Sequence, residues 1–200
     1  MNIRYSGILS ATAAVVLLSF SGAVQAGGGR GGDDGGGGGT CSTATLNGAY
    51  GFIGHGEILG LLDSSNVLHP FASPSILDDV ALITFNGKGT FTRTDFGSIN
   101  GVPKGGDTGF NPFQSGTYTV NADCTGTMSV VYTAGGSVPA NVETDLNIVI
   151  VDDGTQIESV VYRASVPFAQ SAPGYSCPMN CVQGVQESFE GKKVSARGFR

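Results

Sequence analysis

The chain has 200 residues, with 10 Lys and Arg against 16 Asp and Glu, a formal charge of −6, and only 13% charged residues. An acidic, charge-poor protein lacks the basic footprint that nucleic acid demands, and it is equally unsuited to docking on anionic lipid. With so few charges, its solvated surface must rely on Ser, Thr, Asn and Gly.

The chain opens as a secretory signal peptide, residues 1–26. Arg4 supplies a positive start, residues 8–20 form a largely apolar run, and Val24-Gln25-Ala26 closes it as an A-x-A-like cleavage site. The apolar run falls short of the roughly 20 residues a bilayer-spanning helix needs, and glycine follows it. Cleavage after Ala26 removes Arg4, the only charged side chain of the leader, and takes the formal charge from −6 to −7. No later run reaches membrane-helix length, so no membrane span is expected in the mature chain, whose destination is secreted or periplasmic.

Residues 27–40 are nearly all glycine, interrupted by Arg30, Asp33 and Asp34. Glycine loses the most backbone entropy on ordering and has no side chain to bury, so this stretch is expected to be a flexible linker. Residues 41–200 are long enough for one domain with a real core, and short for two.

From residue 45 onward the hydrophobic period is two. Leu46, Tyr50 and Phe52 share one face of a first strand. Residues 80–85 form a more continuous apolar strand, Asn86-Gly87-Lys88-Gly89 is a turn, and residues 90–96 resume strand character, with an alternation that slips near Asp95. Asn-Gly between apolar runs supplies the positive φ of a tight hairpin. Asn100-Gly101 repeats the signal before a longer Gly- and Pro-containing loop to Phe113. Tyr118 and Val120, then Met128, Val130 and Tyr132, alternate with Thr and Ser across a turn at Asp123-Cys124-Thr125-Gly126: a half-buried antiparallel hairpin. Leu146, Ile148 and Ile150 lead to a turn at Asp152-Asp153-Gly154 and a returning strand at 157–162. Residues 179–189 fit neither period and are read as a helical turn or a loop, and residues 194–199 as a last strand. Helical spacing is scarce outside the leader. The expected fold class is all-β and antiparallel, about eight sequentially paired strands closed into an up-and-down barrel, because closure removes the exposed edges a sandwich would have to guard.

Four cysteines in an exported chain favour two disulfides, with three possible pairings. The favoured assignment joins Cys177 to Cys181, closing a small loop bent by Pro178, and Cys41 to Cys124. Three residues rather than two separate Cys177 from Cys181, unlike the usual redox motif, and the two histidines do not complete a zinc site.

Leu46-x-Gly48-x-Tyr50-Gly51-Phe52, Phe85-Asn86-Gly87-Lys88-Gly89, Ser98-Ile99-Asn100-Gly101 and Gly116-Thr117-Tyr118-Thr119-Val120-Asn121 followed by Asp123-Cys124-Thr125-Gly126 occur in this order. Over about residues 41–162 the set resembles uncharacterised exported bacterial β-barrel proteins, similar in outline to small calycin-like or allene-oxide-cyclase-like barrels. The resemblance implies a barrel and supports Cys41–Cys124. It brings no catalytic residue, because its motifs are those of turns and strands.

Recognisable catalytic chemistry is sparse. His55 and Glu57 share a strand face as an acid–base pair or half a metal site would, but they lack further partners and read as a polar pair near a strand end. His69 is read as a lone loop residue. Asp78 and Asp79, adjacent on a strand, point to opposite faces, while Asp152 and Asp153 are accounted for by their turn. No metal site, cofactor or catalytic residue is expected. Tyr50, Phe52, Tyr118 and Tyr132 are the candidate ligand-binding residues, lining a cavity for a small apolar ligand or else filling the interior. Residues 58–77 are the candidate mouth, since Leu59, Leu61, Leu62, Leu68 and Phe71 gather there. Three functions follow as expectations: non-enzymatic binding or a cell-envelope role, an isomerase-type enzyme acting on an apolar substrate inside the barrel, or a structural or interaction protein with a filled core.

Overall fold

The computed structural model describes residues 40–195. The expected signal peptide, nearly all of the glycine-rich linker and residues 196–199 of the expected last strand lie outside the described residues. Eleven strands occur in the described chain: β1 (Asn47–Leu62), β2 (Leu68–Asn86), β3 (Thr90–Ile99), β4 (Val102–Pro103), β5 (Asn111–Val120), β6 (Thr125–Tyr132), β7 (Glu143–Val151), β8 (Gln156–Val166), β9 (Gln170–Ala172), β10 (Tyr175–Cys177) and β11 (Cys181–Lys193). β1, β2, β3, β5, β6, β7, β8 and β11 each pair antiparallel with the next, and β11 pairs back onto β1. The result is a closed, eight-stranded up-and-down barrel. The short β4 adds to the end of β3, and β9 and β10 form a separate small hairpin.

The eighth wall is where sequence reading failed. Residues 179–189, read as a helical turn or loop, belong largely to β11, which closes the barrel; its glycines and polar residues dilute the alternation of Val185, Glu187 and Phe189 on the inner face. Val194 and Ser195 are not strand. His69 is not in a loop: β2 begins at Leu68 and runs through both Pro70 and Pro74. Prolines are tolerated there because the β1–β2 register shifts between Ile58 and Gly60, where four residues of β2 bulge opposite Leu59.

An interior built by eight strands is just wide enough for side chains to fill, and one end of this barrel is filled. Tyr50, Phe85, Phe91 and Tyr118 cluster there, with the Phe85 ring 5.3 Å from Tyr50, 5.5 Å from Phe91 and 5.0 Å from Tyr118. Leu46, fully buried, caps the cluster. The single Tyr118 hydroxyl proton is shared between the carbonyls of Leu46 (2.9 Å) and Thr43 (3.0 Å), and the Tyr50 hydroxyl donates to that of Gly154. The Cys41–Cys124 disulfide ties the incoming chain to the β5–β6 turn at the same end. Large rings fit because glycines face them across the sheet: Phe52 lies opposite Gly191, Phe189 opposite Gly54, and Phe91 opposite Gly116. A Cβ at any of the three glycines would stand 2.2–2.4 Å from the facing ring.

The strand ends at the other end carry a second, smaller cluster of Leu61 on β1, Val166 on β8 and Cys181 on β11. Cys177–Cys181 staples the β8–β11 connection, and the His69 ring stacks on Tyr175 at 4.4 Å.

Candidate functional site

Beyond the aromatic plug the inner face turns polar. On β2, Asp79 keeps the inward phase of Ala81, Ile83 and Phe85, and on β3, Arg93 and Asp95 keep the phase of Phe91. Gln114 on β5 lies opposite Arg93, and Tyr132 on β6 lies opposite Gln114, so four neighbouring strands carry one polar band. Lys104 enters from the β3–β5 connection. It has room because Gly97 faces Asp79: a Cβ on Gly97 would stand 2.9 Å from Asp79 Oδ2 and 3.2 Å from Lys104 Nζ.

These groups satisfy one another. Arg93 donates to Asp79 (2.6 Å), to Asp95 (2.8 Å) and to Gln114. Lys104 donates to Asp95 (2.6 Å) and Asp79 (3.0 Å). Asp95 also accepts from the Tyr132 hydroxyl (2.8 Å) and from Gln114 Nε2 (2.5 Å). Burial works against every charge here, but the neighbours decide the outcome. Burial would raise the Asp95 carboxyl, yet Arg93 and Lys104 outweigh it and hold it below the usual range. Asp79 has fewer donors, so burial pushes it up despite the same cations. Desolvation disfavours the Lys104 charge, but Tyr132, Asp79 and Asp95 together hold it above the ordinary lysine range. Burial pushes the Tyr132 hydroxyl up to about 12.

Glu187 stands apart. It projects inward from β11 opposite Gly56, next to a register shift between β11 and β8. Its carboxyl accepts no hydrogen bond from the described residues. Two cations already face two aspartates, so Glu187 has no counter-charge of its own. Burial, helped by Asp79 and opposed by Lys104 and Arg93, pushes its pKa up to about 7.

The polar band borders open space. A chamber of about 60 Å³ lies between the aromatic plug and the band, with Phe52, Met128, Leu146 and Phe189 among its walls. A wider mouth of about 390 Å³ lies outside it, walled largely by apolar side chains such as Leu77, Val142 and Val166. Lys104, Tyr132, Thr144 and Glu187 border both.

The four aromatic candidates all point inward, but the structure divides them. Tyr50 and Tyr118 belong to the plug, whereas Phe52 and Tyr132 line the chamber, and Tyr132 also reaches the mouth. Of the apolar residues gathered at 58–77, Phe71 lines the mouth; Leu59, Leu61 and Leu62 lie in β1, and Leu61 is fully buried in the smaller core cluster. Both histidines lie away from the chamber. His55 and Glu57 face solvent, with His55 paired across the strands to Asp78 at 2.7 Å, and His69 pairs with Asp63 at 3.1 Å. Asp78 and Asp79 do point to opposite faces. Asp152 and Asp153 adopt positive φ in a turn. Among the described residues there is no cluster of three metal-ligating side chains.

Sequence reading missed Arg93, Asp95, Lys104, Gln114 and Glu187. The signal for four of them was the phase: Phe91, Tyr118 and Phe189 mark an inward face, and Arg93, Asp95, Gln114 and Glu187 fall on it. Lys104 gave none, since its loop reaches the band only in three dimensions. Neither the family models, nor the curated proteins, nor the solved structures contain a match to this chain.

Proposed function

We propose that the protein is an exported, non-enzymatic binding protein that holds a small, mostly apolar molecule in the unfilled end of its barrel. One observation carries this reading: the closed end is packed solid, while the other holds a largely apolar mouth of about 390 Å³ beside a chamber of about 60 Å³, the two sharing Lys104, Tyr132, Thr144 and Glu187 in their walls. Binding sites of this kind combine apolar walls with a small number of placed polar side chains. Two disulfides are compatible with an oxidising compartment, and with the leader they favour a secreted or periplasmic location. The kinship we favour is with the exported bacterial barrels of calycin-like or allene-oxide-cyclase-like outline.

The test is binding of Nile red followed by fluorescence. A single saturable site is expected, and Ala164→Phe, which fills the mouth from β8, abolishes it while leaving the circular dichroism spectrum unchanged. Absence of binding, or binding indifferent to the filled mouth, would overturn the reading. An isomerase-type enzyme is favoured by one observation, an unpaired acid, Glu187, facing the same cavity as the Tyr132 hydroxyl. His55 and Glu57, which face solvent, lend it nothing.

A further inference from the structure

The binding reading leaves the chemistry of the ligand open, and the hydrogen-bond inventory of the cavity narrows it. Arg93 spends its contacts on Asp79, Asp95 and Gln114, and Lys104 on Asp79 and Asp95. The Tyr132 hydroxyl and the Gln114 amide are committed to Asp95. Ser159 donates to the Phe189 carbonyl at 3.0 Å. The remaining face of Lys104 lies over the Tyr132 ring, 5.2 Å from its centroid. An anionic ligand entering the mouth would therefore meet cations already neutralised, and only neutral hydroxyls, such as those of Thr144 and Ser75, remain free to donate. What the cavity offers is an acceptor, the carboxylate of Glu187, which borders both chamber and mouth.

Charge points the same way. The polar groups sharing the chamber wall with Glu187 are Asp79 from β2, Arg93 from β3, Lys104 from the β3–β5 connection, Tyr132 from β6, Thr144 from β7 and Ser159 from β8, while β1 presents only Gly56 and the apolar Phe52 and Ile58. Two cations and two aspartates cancel, so an ionised Glu187 leaves the cavity with one unmatched negative charge. Glu187 is half-buried, and a charge drawn partly out of water is costly until it is paired. Resting on the binding reading above, we propose that the cavity selects an amphiphilic monocation, with its apolar body against the mouth walls and a protonated amine on Glu187.

The mass-action consequence follows from the acid's position near neutrality. An amine binds the ionised form, so affinity falls by about tenfold for each pH unit below that range. The probes are octylamine, 1-octanol and octanoate, titrated calorimetrically into the wild-type protein and Glu187→Gln at pH 8 and pH 5.5. Octylamine is expected to bind at least about tenfold more tightly than 1-octanol to wild type at pH 8, with octanoate weakest. The amine's advantage should disappear at pH 5.5 and in Glu187→Gln, which keeps its affinity for 1-octanol. Equal binding of amine and alcohol to wild type, an advantage that survives Glu187→Gln, or a preference for octanoate would each overturn the proposal while leaving the binding reading intact. Failure of all three probes to bind would overturn both.

Discussion

Replacing Arg93 by Met tests whether the polar band is a single electrostatic unit. Arg93, Asp79 and Asp95 side chains are 7%, 7% and 1% exposed, so water cannot compensate for a lost partner. Methionine keeps most of the volume but removes the guanidinium, leaving two buried carboxylates to share Lys104. Breaking a buried pair by removing one partner costs about 3–5 kcal/mol. Lys104, bonded to both aspartates, holds the expected loss near the lower end. At about 2–4 °C per kcal/mol for a chain of this size, the melting temperature should fall by roughly 6–12 °C. The sign of the pH dependence follows from Asp95. In the native protein its pKa is depressed, so its contribution is present above the unfolded value, about 3.9, and is lost as pH falls through the folded value. In the variant, burial outweighs a single cation, a carboxyl takes up a proton on acidification, and the penalty is relieved. The stability difference should therefore be large at pH 7 and shrink by pH 4. The chain has no Trp and 6 Tyr, so urea unfolding is best followed by tyrosine fluorescence and circular dichroism together. A loss below about 1 kcal/mol at pH 7, or one of equal size at both pH values, would refute the network argument.

Three other outcomes are expected. Glu187 is an acid whose folded pKa, about 7, lies above its ordinary value of 4.5, so stability should decline as pH rises from 4.5 to 7. Glu187→Gln should remove that slope, worth about 2–3 kcal/mol, as read from urea midpoints at pH 5 and pH 8. Gly116→Ala places a Cβ 2.1 Å from the Ser129 carbonyl and 2.2 Å from the Phe91 ring, and should lower stability by about 1–3 kcal/mol, whereas Gly51→Ala meets nothing within 4 Å and should stay within about 0.5 kcal/mol in the same thermal melts. Removing Cys41–Cys124, which spans 83 residues, should cost about 4 kcal/mol, and removing Cys177–Cys181, which spans 4, about 2 kcal/mol, provided each pair is replaced by serines together.

The lattice of strands was legible because turn chemistry and alternation agreed. Asn86-Gly87-Lys88-Gly89 takes positive φ at both glycines, and Asn86 Oδ1 accepts the backbone N–H groups of Lys88 and Thr90. The hairpin of Tyr118 and Met128 sits in the register its alternation implies. β11 was not legible, since glycines at 184 and 191 interrupt its apolar phase and Gln183, Gln186 and Glu187 mimic a polar loop. Those glycines have a cause visible only across the sheet: a Cβ at Gly184 would stand 2.4 Å from Leu68, and one at Gly191 2.4 Å from Phe52. The site was less legible than the fold. Asp79 was correctly assigned the face opposite Asp78, but its partners come from β3 and a loop, and no local pattern joins them.

The filled and open ends of one barrel pose the question of why the chain treats them differently. Its closed end shows that this scaffold packs aromatic and aliphatic side chains without difficulty, against glycines placed to receive them. The same solution would serve the other end, and exchanging buried ion pairs for apolar groups of similar volume is often neutral or stabilising. Folding alone therefore does not call for Asp79, Arg93, Asp95, Lys104 and Glu187 in the barrel's interior. Four of them can be read as a self-neutralising set that keeps the wall rigid and spends every strong donor. Glu187 fits that account poorly, since Lys104 and Arg93 offset only part of the cost of withdrawing its charge from water, and Asp79 adds to it. A residue that costs stability where an apolar one would serve, beside open space and within reach of whatever enters it, is the feature on which the binding proposal turns.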